Sequence, residues 1–340
     1  MAVMKEVAKL AGVSVGTVSK YLNNHHTLKE ETKKRVEEAI NTLQYKPNLL
    51  ARSMRTGKTN TLAVIVPDIT NPFYAETYNS IKQSALQKGY TAILYTTNDS
   101  PETISQYLSG MSIHHVDGLI LCFINNRKAI DDFTGIHPET PMVFIGWDIG
   151  DTGYNSVVID VFEGMFNSTR HLIELGHSRI AYVGGPENDM ISRDKFSGYT
   201  KAIKASGYET DPRFVFHNNY TLQSGYNSAR KLAMLHEMPT AIVAENDILA
   251  IGCMKYFLQK RISIPDDIAV IGFDNIPLSA MYEPSLSTIA LPVTRMGEEA
   301  IKILMSKIDK PALKNRQIIL KTQLVVRNST VRETPLEFEL

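Results

Sequence analysis

"EVAKLAGVSVGTVSKYLNN", residues 6–24, contains two short helical patterns separated by a turn with a glycine. We predict a first helix over residues 3–11, with Val7, Leu10 and Ala11 on its buried face. Gly12 adopts positive φ at little cost and ends this helix, and Ser14 is a favoured N-cap for the next one. A helix, a short turn with glycine and a second helix form the helix–turn–helix pattern.

The second helix of this motif lies in the major groove of DNA, so its outer face is the candidate DNA-reading surface. Val18 and Leu22 share the inner face, while Gly16 and Lys20 lie opposite. Gly16 lets the backbone come close to DNA, flanking hydroxyls can hold phosphates, and Lys20 can reach a guanine edge. Val15 lies near the buried face but starts the helix, where it can touch a thymine methyl. The candidate contacts in this segment are Ser14, Val15, Gly16, Thr17, Ser19 and Lys20.

A third helical pattern and a short linker follow this motif. Residues 30–45 carry an apolar stripe, which makes a three-helix domain, a pattern that other small helical domains share. Pro47 ends the third helix, and Asn48 can cap a short helix that extends to residue 55. Residues 57–60 then form a flexible joint. Their neighbourhood, TGKT, lacks the upstream glycine and strand of a phosphate-binding loop, so we reject that function.

The charge of the chain is divided unevenly although its total is zero. Residues 1–60 contain eleven Lys or Arg and five Glu, a net charge of +6, and the remaining 280 residues carry −6. A basic head on an acidic body favours contact with a polyanion, although six charges can also arise by chance. This asymmetry is consistent with binding to double-stranded DNA.

The composition is that of an ordinary globular protein, with 43% hydrophobic and 21% charged residues. No apolar run is long enough to span a membrane, and the N-terminus has no secretory pattern, so we expect a cytoplasmic protein. Cys122 and Cys253 fit buried core thiols in a reducing compartment, and their spacing does not fit a zinc site. We therefore expect neither a metal nor a cofactor.

From residue 61 onward, apolar strand patterns alternate with helical ones in two successive series. Strands that are apolar on both faces and are followed by helices indicate parallel sheets, here in two doubly wound lobes. Ligands of such sheets bind beyond the carboxyl ends of the strands. The candidate ligand residues at those ends are Asp68, Phe73, Phe123, Trp147, Asp148, Asn246, Asp247 and Asp274. Aromatic rings can stack on a sugar, and the acids and the amide can bind its hydroxyls, although any of these residues can instead serve as a loop or cap residue.

No catalytic motif accompanies these residues: GxSxG, HExxH and GxGxxG are all missing. An enzyme that acts on a sugar phosphate therefore has no acid–base pair or phosphate loop to support it. A cytoplasmic sugar-binding protein without a DNA role is the other alternative, and the basic head argues against it.

The order of head, short linker and two-lobed body resembles the LacI/GalR family of bacterial transcription regulators. The similarity extends from residue 4 to about residue 330 and rests on EVAKLAGVSVGTVSKYLNN, TLQYKPNLLARSMRTGKTNTLAVIVPDITNPFY, VDGLIL, LIELGHSRIAYVGG, AENDILAIG, IPDDIAVIGFDN and PSLSTI. It implies a helix–turn–helix domain over residues 1–46, a hinge helix and linker over 47–60, and an effector-binding and dimerisation domain over 61–340. The N-lobe would take about 61–160 and 291–322, and the C-lobe about 161–290 and 323–335, in a body like a periplasmic binding protein.

The resemblance also implies a repressor that binds a palindromic operator as a homodimer, controlled by a small effector, expected to be a sugar. The hinge helix would enter the minor groove, with the implied contacts Asn48, Ala51, Met54 and Arg55. Lys195 and Tyr220 join the residues named above as implied effector contacts. A protein coregulator on the N-lobe is also compatible with the family.

The chain departs from the family pattern at four places. Lys20 and Lys195 each stand where Arg is more frequent, and a lysine lacks the bidentate fork of an arginine. Met54 stands where a leucine wedge is usual, and Leu291 follows Ala290 where a glutamine often lies near the ligand. The C-terminal segment has no sustained leucine heptad, so a dimer is expected rather than a coiled-coil tetramer.

Overall fold

The computed structural model describes residues 2–23, 28–45, 57–98, 100–110, 116–124, 127–137, 139–146 and 154–332. The chain divides into two compact units, Met1–Thr59 and Asn60–Leu340. Several predictions fall outside the described residues: the hinge contacts Asn48, Ala51, Met54 and Arg55, and the candidate ligand residues Trp147 and Asp148.

The first unit contains three helices, α1 (Met4–Leu10), α2 (Val15–Asn23) and α3 (Glu30–Thr42). Gly12 has φ +62° in the turn between α1 and α2, where a side chain would be strained. The backbone N–H of Thr17 donates to Oγ of Ser14 at 3.1 Å, so Ser14 caps α2 as its residue type predicts.

The core of this unit differs from the predicted one on α1. Val7, Ala8 and Ala11 are buried, whereas Leu10 is 54% exposed. Successive helical residues are about 100° apart, so Val7, Ala8 and Ala11 form one stripe and Leu10 falls well to its side. The predicted burial of Leu10 is therefore wrong. The rest of the core consists of Val18, Tyr21, Val36, Ala39 and Tyr45.

The second unit contains an N-lobe built on a six-stranded parallel sheet. Its strands are β1 (Thr61–Val66), β2 (Thr91–Thr96), β3 (Gly118–Cys122), β4 (Met142–Gly146), β5 (Asn155–Ile159) and β11 (Gln317–Leu320). Their order is β11-β5-β4-β3-β1-β2. Helices cover both faces of the sheet: α4 (Pro72–Gln87), α5 (Pro101–Gly110), α6 (Arg127–Ile136) and α12 (Val293–Asp309). Buried apolar side chains fill β3, β4 and most of β1, as a doubly wound sheet requires.

The C-lobe contains a four-stranded parallel sheet in the order β7-β6-β8-β9. Its strands are β6 (Ile180–Gly184), β7 (Val215–His217), β8 (Ala241–Ala244) and β9 (Ala269–Ile271). The helices of this lobe are α7 (Val161–Glu174), α8 (Met190–Ala205), α9 (Leu222–Leu232), α10 (Asp247–Gln259) and α11 (Pro277–Met281). A short antiparallel pair, β10 (Thr288–Ala290) and β12 (Gln323–Val325), packs beside α7.

Three segments connect the lobes: the chain passes between them after β5, after β10 and after β11. Val161, the first residue of α7, and Leu291, in the connection after β10, both line a cleft, so a ligand there would lie against the points where the chain passes between the lobes. A helix–turn–helix unit followed by a body with parallel doubly wound sheets is the predicted fold class, which is confirmed.

Both cysteines are fully buried and free, as predicted for core thiols. Within the described residues, no helix has the length and apolar character needed to cross a membrane.

Candidate functional sites

The outer face of α2 is the candidate DNA-reading surface. Gly16 and Lys20 are exposed, and Val15 is 44% exposed, so the side chain of Val15 is available to a partner rather than committed to the core. Thr17 and Ser19 are half-buried at the flanks of this face. The surface therefore presents one cation, small residues and hydroxyl groups, the set expected for reading DNA.

The turn before α2 is held from two sides. The hydroxyls of Ser14 and Thr17 share a hydrogen bond of 2.9 Å. The guanidinium of Arg35 on α3 donates to the carbonyl of Gly12 at 3.3 Å. These contacts fix the start of α2, where the candidate base contacts lie.

The candidate ligand site is a cleft in the second unit, at the carboxyl ends of the parallel strands. It brings together six predicted residues: Phe73, Phe123, Lys195, Tyr220, Asn246 and Asp274. It also contains residues that the sequence analysis did not select as contacts: Asn71, Tyr74, Val161, Asp189, Ile191, Phe273 and Leu291.

The N-lobe wall of the cleft is aromatic. The rings of Phe73 and Phe123 lie 5.1 Å apart at 68°, and the ring of Tyr74 lies 5.3 Å from Phe73 and 5.8 Å from Phe123. Asn71 caps α4 by accepting a hydrogen bond from the backbone N–H of Phe73 at 3.1 Å, which fixes the helix start. Such a wall offers aromatic, apolar surface to the C–H face of a ligand.

The C-lobe wall carries the charged groups. The ammonium of Lys195 donates to the carbonyl of Glu245 at 2.7 Å and lies 4.0 Å from the ring centre of Phe273. Asn246 caps α10: its Oδ1 accepts from the N–H of Leu249 at 2.8 Å. No hydrogen-bond acceptor for Nδ2 of Asn246 lies among the described residues, so this amide is available to a ligand.

Asp274 is buried, with 8% of the residue exposed, and no described residue donates a hydrogen bond to its carboxyl group. Burial raises its pKa well above the usual range, and Lys195 partly opposes that shift. The backbone of Asp274 has φ +111°, a conformation that is costly for any residue other than glycine. Such strained residues cluster at functional sites. Its backbone N–H donates to the carbonyl of Ile289 at 2.8 Å, which holds the carboxyl group at the cleft.

Asp189 supplies a second carboxyl group. One of its oxygens caps α8 by accepting from the N–H groups of Ile191 and Ser192, at 2.8 and 3.4 Å. Burial raises its pKa, while those hydrogen bonds lower it. Its position after β6 follows the same strand-end rule that identified Phe123 and Asn246, so the rule could have selected it.

Two predicted ligand residues do not line the cleft. Asp68 is occupied in a turn, where its carboxylate accepts from the N–H of Thr70 at 2.8 Å and from the Thr70 hydroxyl at 2.7 Å. Asp247 points into the C-lobe and accepts from the hydroxyl of Thr288 at 2.6 Å and from the N–H of Ile276 at 2.9 Å. Both carboxylates are engaged by donors of the protein, that of Asp68 by Thr70 and that of Asp247 by Thr288 and Ile276.

The cleft offers aromatic faces, hydrogen-bonding groups and charge, which are binding features. No group of three or more His, Cys, Asp or Glu side chains that could hold a metal is found in the described part of the chain.

Two family models match the chain. The model for bacterial regulatory proteins of the lacI family matches residues 3–48, and the model for a periplasmic binding protein-like domain matches residues 169–330. The chain is 33% identical over 332 residues to the HTH-type transcriptional repressor PurR of Actinobacillus pleuropneumoniae serotype 3 (strain JL03). That match covers 97% of this chain and 98% of the relative.

Solved structures show the same architecture. A transcriptional regulator CelR in complex with cellobiose is 27% identical, with a TM-score of 0.72 over 97% of this chain and all of that one. A lac repressor dimer bound to operator and the anti-inducer ONPF is 24% identical, with a TM-score of 0.86 over 97% of this chain and 99% of that one. The latter likeness concerns the fold.

A helix–turn–helix head and a periplasmic-binding-protein-like body define a DNA-binding transcription regulator. The chain belongs to the lacI family of bacterial regulatory proteins. This membership confirms the prediction of a regulator rather than an enzyme.

Proposed function

We propose that this regulator is a repressor that binds a palindromic operator as a homodimer and is controlled by a small sugar-like effector in the cleft. The relative PurR is named as a transcriptional repressor, which supports the direction of control. A helix of nine residues reads few base pairs, and two copies related by a two-fold axis match a palindrome. Action on chromosomal DNA places the protein in the cytoplasm.

The observation that carries the effector proposal is the composition of the two cleft walls. Phe73, Tyr74 and Phe123 form an aromatic N-lobe wall, and the C-lobe wall presents the unpaired carboxyl group of Asp274 and the free amide of Asn246. A pyranose ring has apolar C–H faces and a rim of hydroxyls, so it complements both walls. The regulator CelR, whose structure contains cellobiose, supports a sugar at this site.

Control of DNA binding follows from the position of the cleft between the lobes. A ligand that contacts Phe73 on one wall and Asp274 on the other favours one angle between the lobes over the alternatives. Leu291 lies in the connection after β10 and Val161 begins α7 just after the connection that follows β5, so both lie where such a change would act. Two dimer partners that change their lobe angles would alter the spacing of their recognition helices, and operator affinity would change with it.

The experiment compares Asp274→Ala with Asp68→Ala as a matched control. Each variant is titrated onto operator DNA from upstream of its own gene, at fixed salt, with and without the effector sugar. We expect Asp274→Ala to bind operator as wild type does but to need about 10- to 100-fold more sugar, because a buried sugar hydroxyl that loses its partner costs about 1–3 kcal/mol.

Asp68→Ala should keep the full response, because Asp68 does not line the cleft. A full response in Asp274→Ala would contradict the proposed effector site.

A further inference from the structure

A buried acid behind the C-lobe wall, Glu245, has no assigned role in ligand binding. Its carboxylate accepts hydrogen bonds from three hydroxyls: Tyr182, Ser192 at 2.5 Å and Tyr220 at 2.8 Å. An ionised carboxylate accepts at about four positions and donates nothing, so three O–H donors suit its charged form. The three partners belong to β6, to α8 and to the segment before α9, so Glu245 ties together three parts of the wall.

Two glycines provide the space for this arrangement. A Cβ on Gly184 would lie 2.6 Å from Oε1 of Glu245, and a Cβ on Gly185 would lie 2.1 Å from Cζ of Tyr220. Any side chain at Gly185 would therefore displace the ring of Tyr220 from the cleft. Gly184 and Gly185 therefore leave the space that the carboxylate of Glu245 and the ring of Tyr220 occupy.

The Glu245 contact decides what Tyr220 can offer a ligand. Burial raises the pKa of Tyr220 well above its usual range, with Glu245 as the next cause, so the hydroxyl keeps its proton. That proton is donated to Glu245, which leaves the ring face of Tyr220 as its contribution to the cleft. Tyr220 thus acts on the ligand as an apolar surface.

The charges around the cleft are unbalanced. Asp189 and Asp274 line it, Glu245 lies directly behind Tyr220, and Lys195 is the one cation lining it within the described ranges. The ammonium of Lys195 is already engaged by the carbonyl of Glu245 and the ring of Phe273. Burial raises the pKa of both lining carboxyl groups, because the cleft disfavours negative charge, and the same burial would disfavour a phosphate group there.

We propose that Glu245 is a specificity-determining positioning residue that restricts the cleft to uncharged polyhydroxyl ligands and excludes their phosphate esters. The inference rests on the proposed effector role of the cleft. Glu245 acts in two ways: it fixes Tyr220 and Ser192 in place, and its charge opposes an anionic ligand. A phosphate group would bring two negative charges into a buried cleft in front of Glu245, while the ammonium of Lys195 is already engaged.

The test is isothermal titration calorimetry on the full chain with matched probes. The uncharged probes are glucose, ribose and cellobiose, and the anionic probes are glucose 6-phosphate, ribose 5-phosphate and inorganic phosphate. We expect an uncharged probe to bind and its phosphate ester to bind about tenfold more weakly or less. An ester that binds as well as its parent sugar, or a panel in which no uncharged probe binds, overturns the proposal.

Glu245→Gln separates charge from shape, because the amide keeps the size of the carboxylate. This variant should reduce the discrimination between sugar and ester by about tenfold, whereas exposed Glu209→Gln should leave it unchanged. A purely structural role would weaken both ligands equally, so an unchanged ratio overturns the role of Glu245.

Tyr220→Phe is the second variant and tests the charge effect of Glu245 if Glu245→Gln does not fold. It removes the hydroxyl that donates to Glu245 but leaves the carboxylate in place, so we expect the discrimination between sugar and ester to stay within about threefold of wild type. A loss of that discrimination by tenfold or more would overturn the proposal.

Operator binding is measured on the same preparations. No operator binding with intact sugar–ester discrimination contradicts the proposed function alone. Operator binding controlled by a phosphate ester contradicts this inference alone.

Discussion

The burial of Asp247 inside the C-lobe can be tested by measuring how the free energy of unfolding changes with pH. Its side chain is fully buried and accepts hydrogen bonds from Thr288 and from the N–H of Ile276. Burial raises its pKa from 3.8 to about 7, against the effect of these hydrogen bonds. In mildly acidic solution, Asp247 therefore keeps its proton in the folded protein, whereas the same group in the unfolded chain has released it.

The magnitude follows from the two pKa values. A group whose folded pKa is raised contributes stability below its unfolded pKa, and that contribution is lost as the pH rises through the folded pKa. For a shift from 3.8 to about 7, the free energy of unfolding falls by about 2–3 kcal/mol between about pH 5 and pH 8. Asp247→Asn removes this dependence, since an amide does not titrate and its oxygen can still accept from Ile276.

The assay is urea unfolding of wild type and Asp247→Asn at both pH values, followed by circular dichroism. The stability of the variant relative to wild type should rise by about 2–3 kcal/mol from the lower to the higher pH. Asp267→Asn is the matched control, because Asp267 is exposed and accepts from the N–H of Ser263. Its difference from wild type gives the reference for replacing an exposed aspartate by asparagine at the two pH values. If the free energies of unfolding of Asp247→Asn and wild type change in parallel between the two pH values, Asp247 does not retain a proton in the folded protein.

Three further variants test the head and the body. Lys20→Ala should weaken operator binding by about 1–3 kcal/mol and blur one base preference per half-site, as measured by anisotropy on operators with single substitutions; an unchanged preference would exclude the contact. Ser14→Ala removes the α2 cap and should cost about 1 kcal/mol in thermal unfolding of the head, whereas an unchanged midpoint would contradict the cap. Gly252→Ala places a Cβ 2.2 Å from the carbonyl oxygen of Leu222 and should cost about 1–3 kcal/mol in urea unfolding. Gly135→Ala, with nothing within 4 Å, should not destabilise the protein and serves as its control.

The doubly wound architecture could be predicted because apolar strand patterns alternate with helical patterns along the sequence. The strand-end rule then located Phe73, Phe123, Asn246 and Asp274 at one cleft although they are far apart in sequence. The rule depends only on topology, which apolar strand patterns reveal. The family resemblance added Lys195 and Tyr220, which also line the cleft.

The prediction of cleft residues fails where the direction of a single side chain decides whether that residue lines the cleft. Asn246 and Asp247 are neighbours, but the first caps α10 at the cleft and the second turns into the lobe towards Thr288. Thr288 lies 41 positions later in the chain, so local sequence could not reveal the contact. The same holds for Glu245, whose partners come from three separate segments and which sequence analysis passed over.

The most direct measurement is fluorescence anisotropy of the full chain on labelled DNA from upstream of its gene. Salt is held fixed because phosphate contacts make DNA affinity strongly salt-dependent. We expect tight binding to that DNA and a change of affinity of about tenfold or more with one uncharged sugar. Tight binding that no sugar alters, or that only a phosphate ester alters, would contradict an uncharged sugar as the effector in the cleft. Binding without sequence preference would contradict base reading by α2.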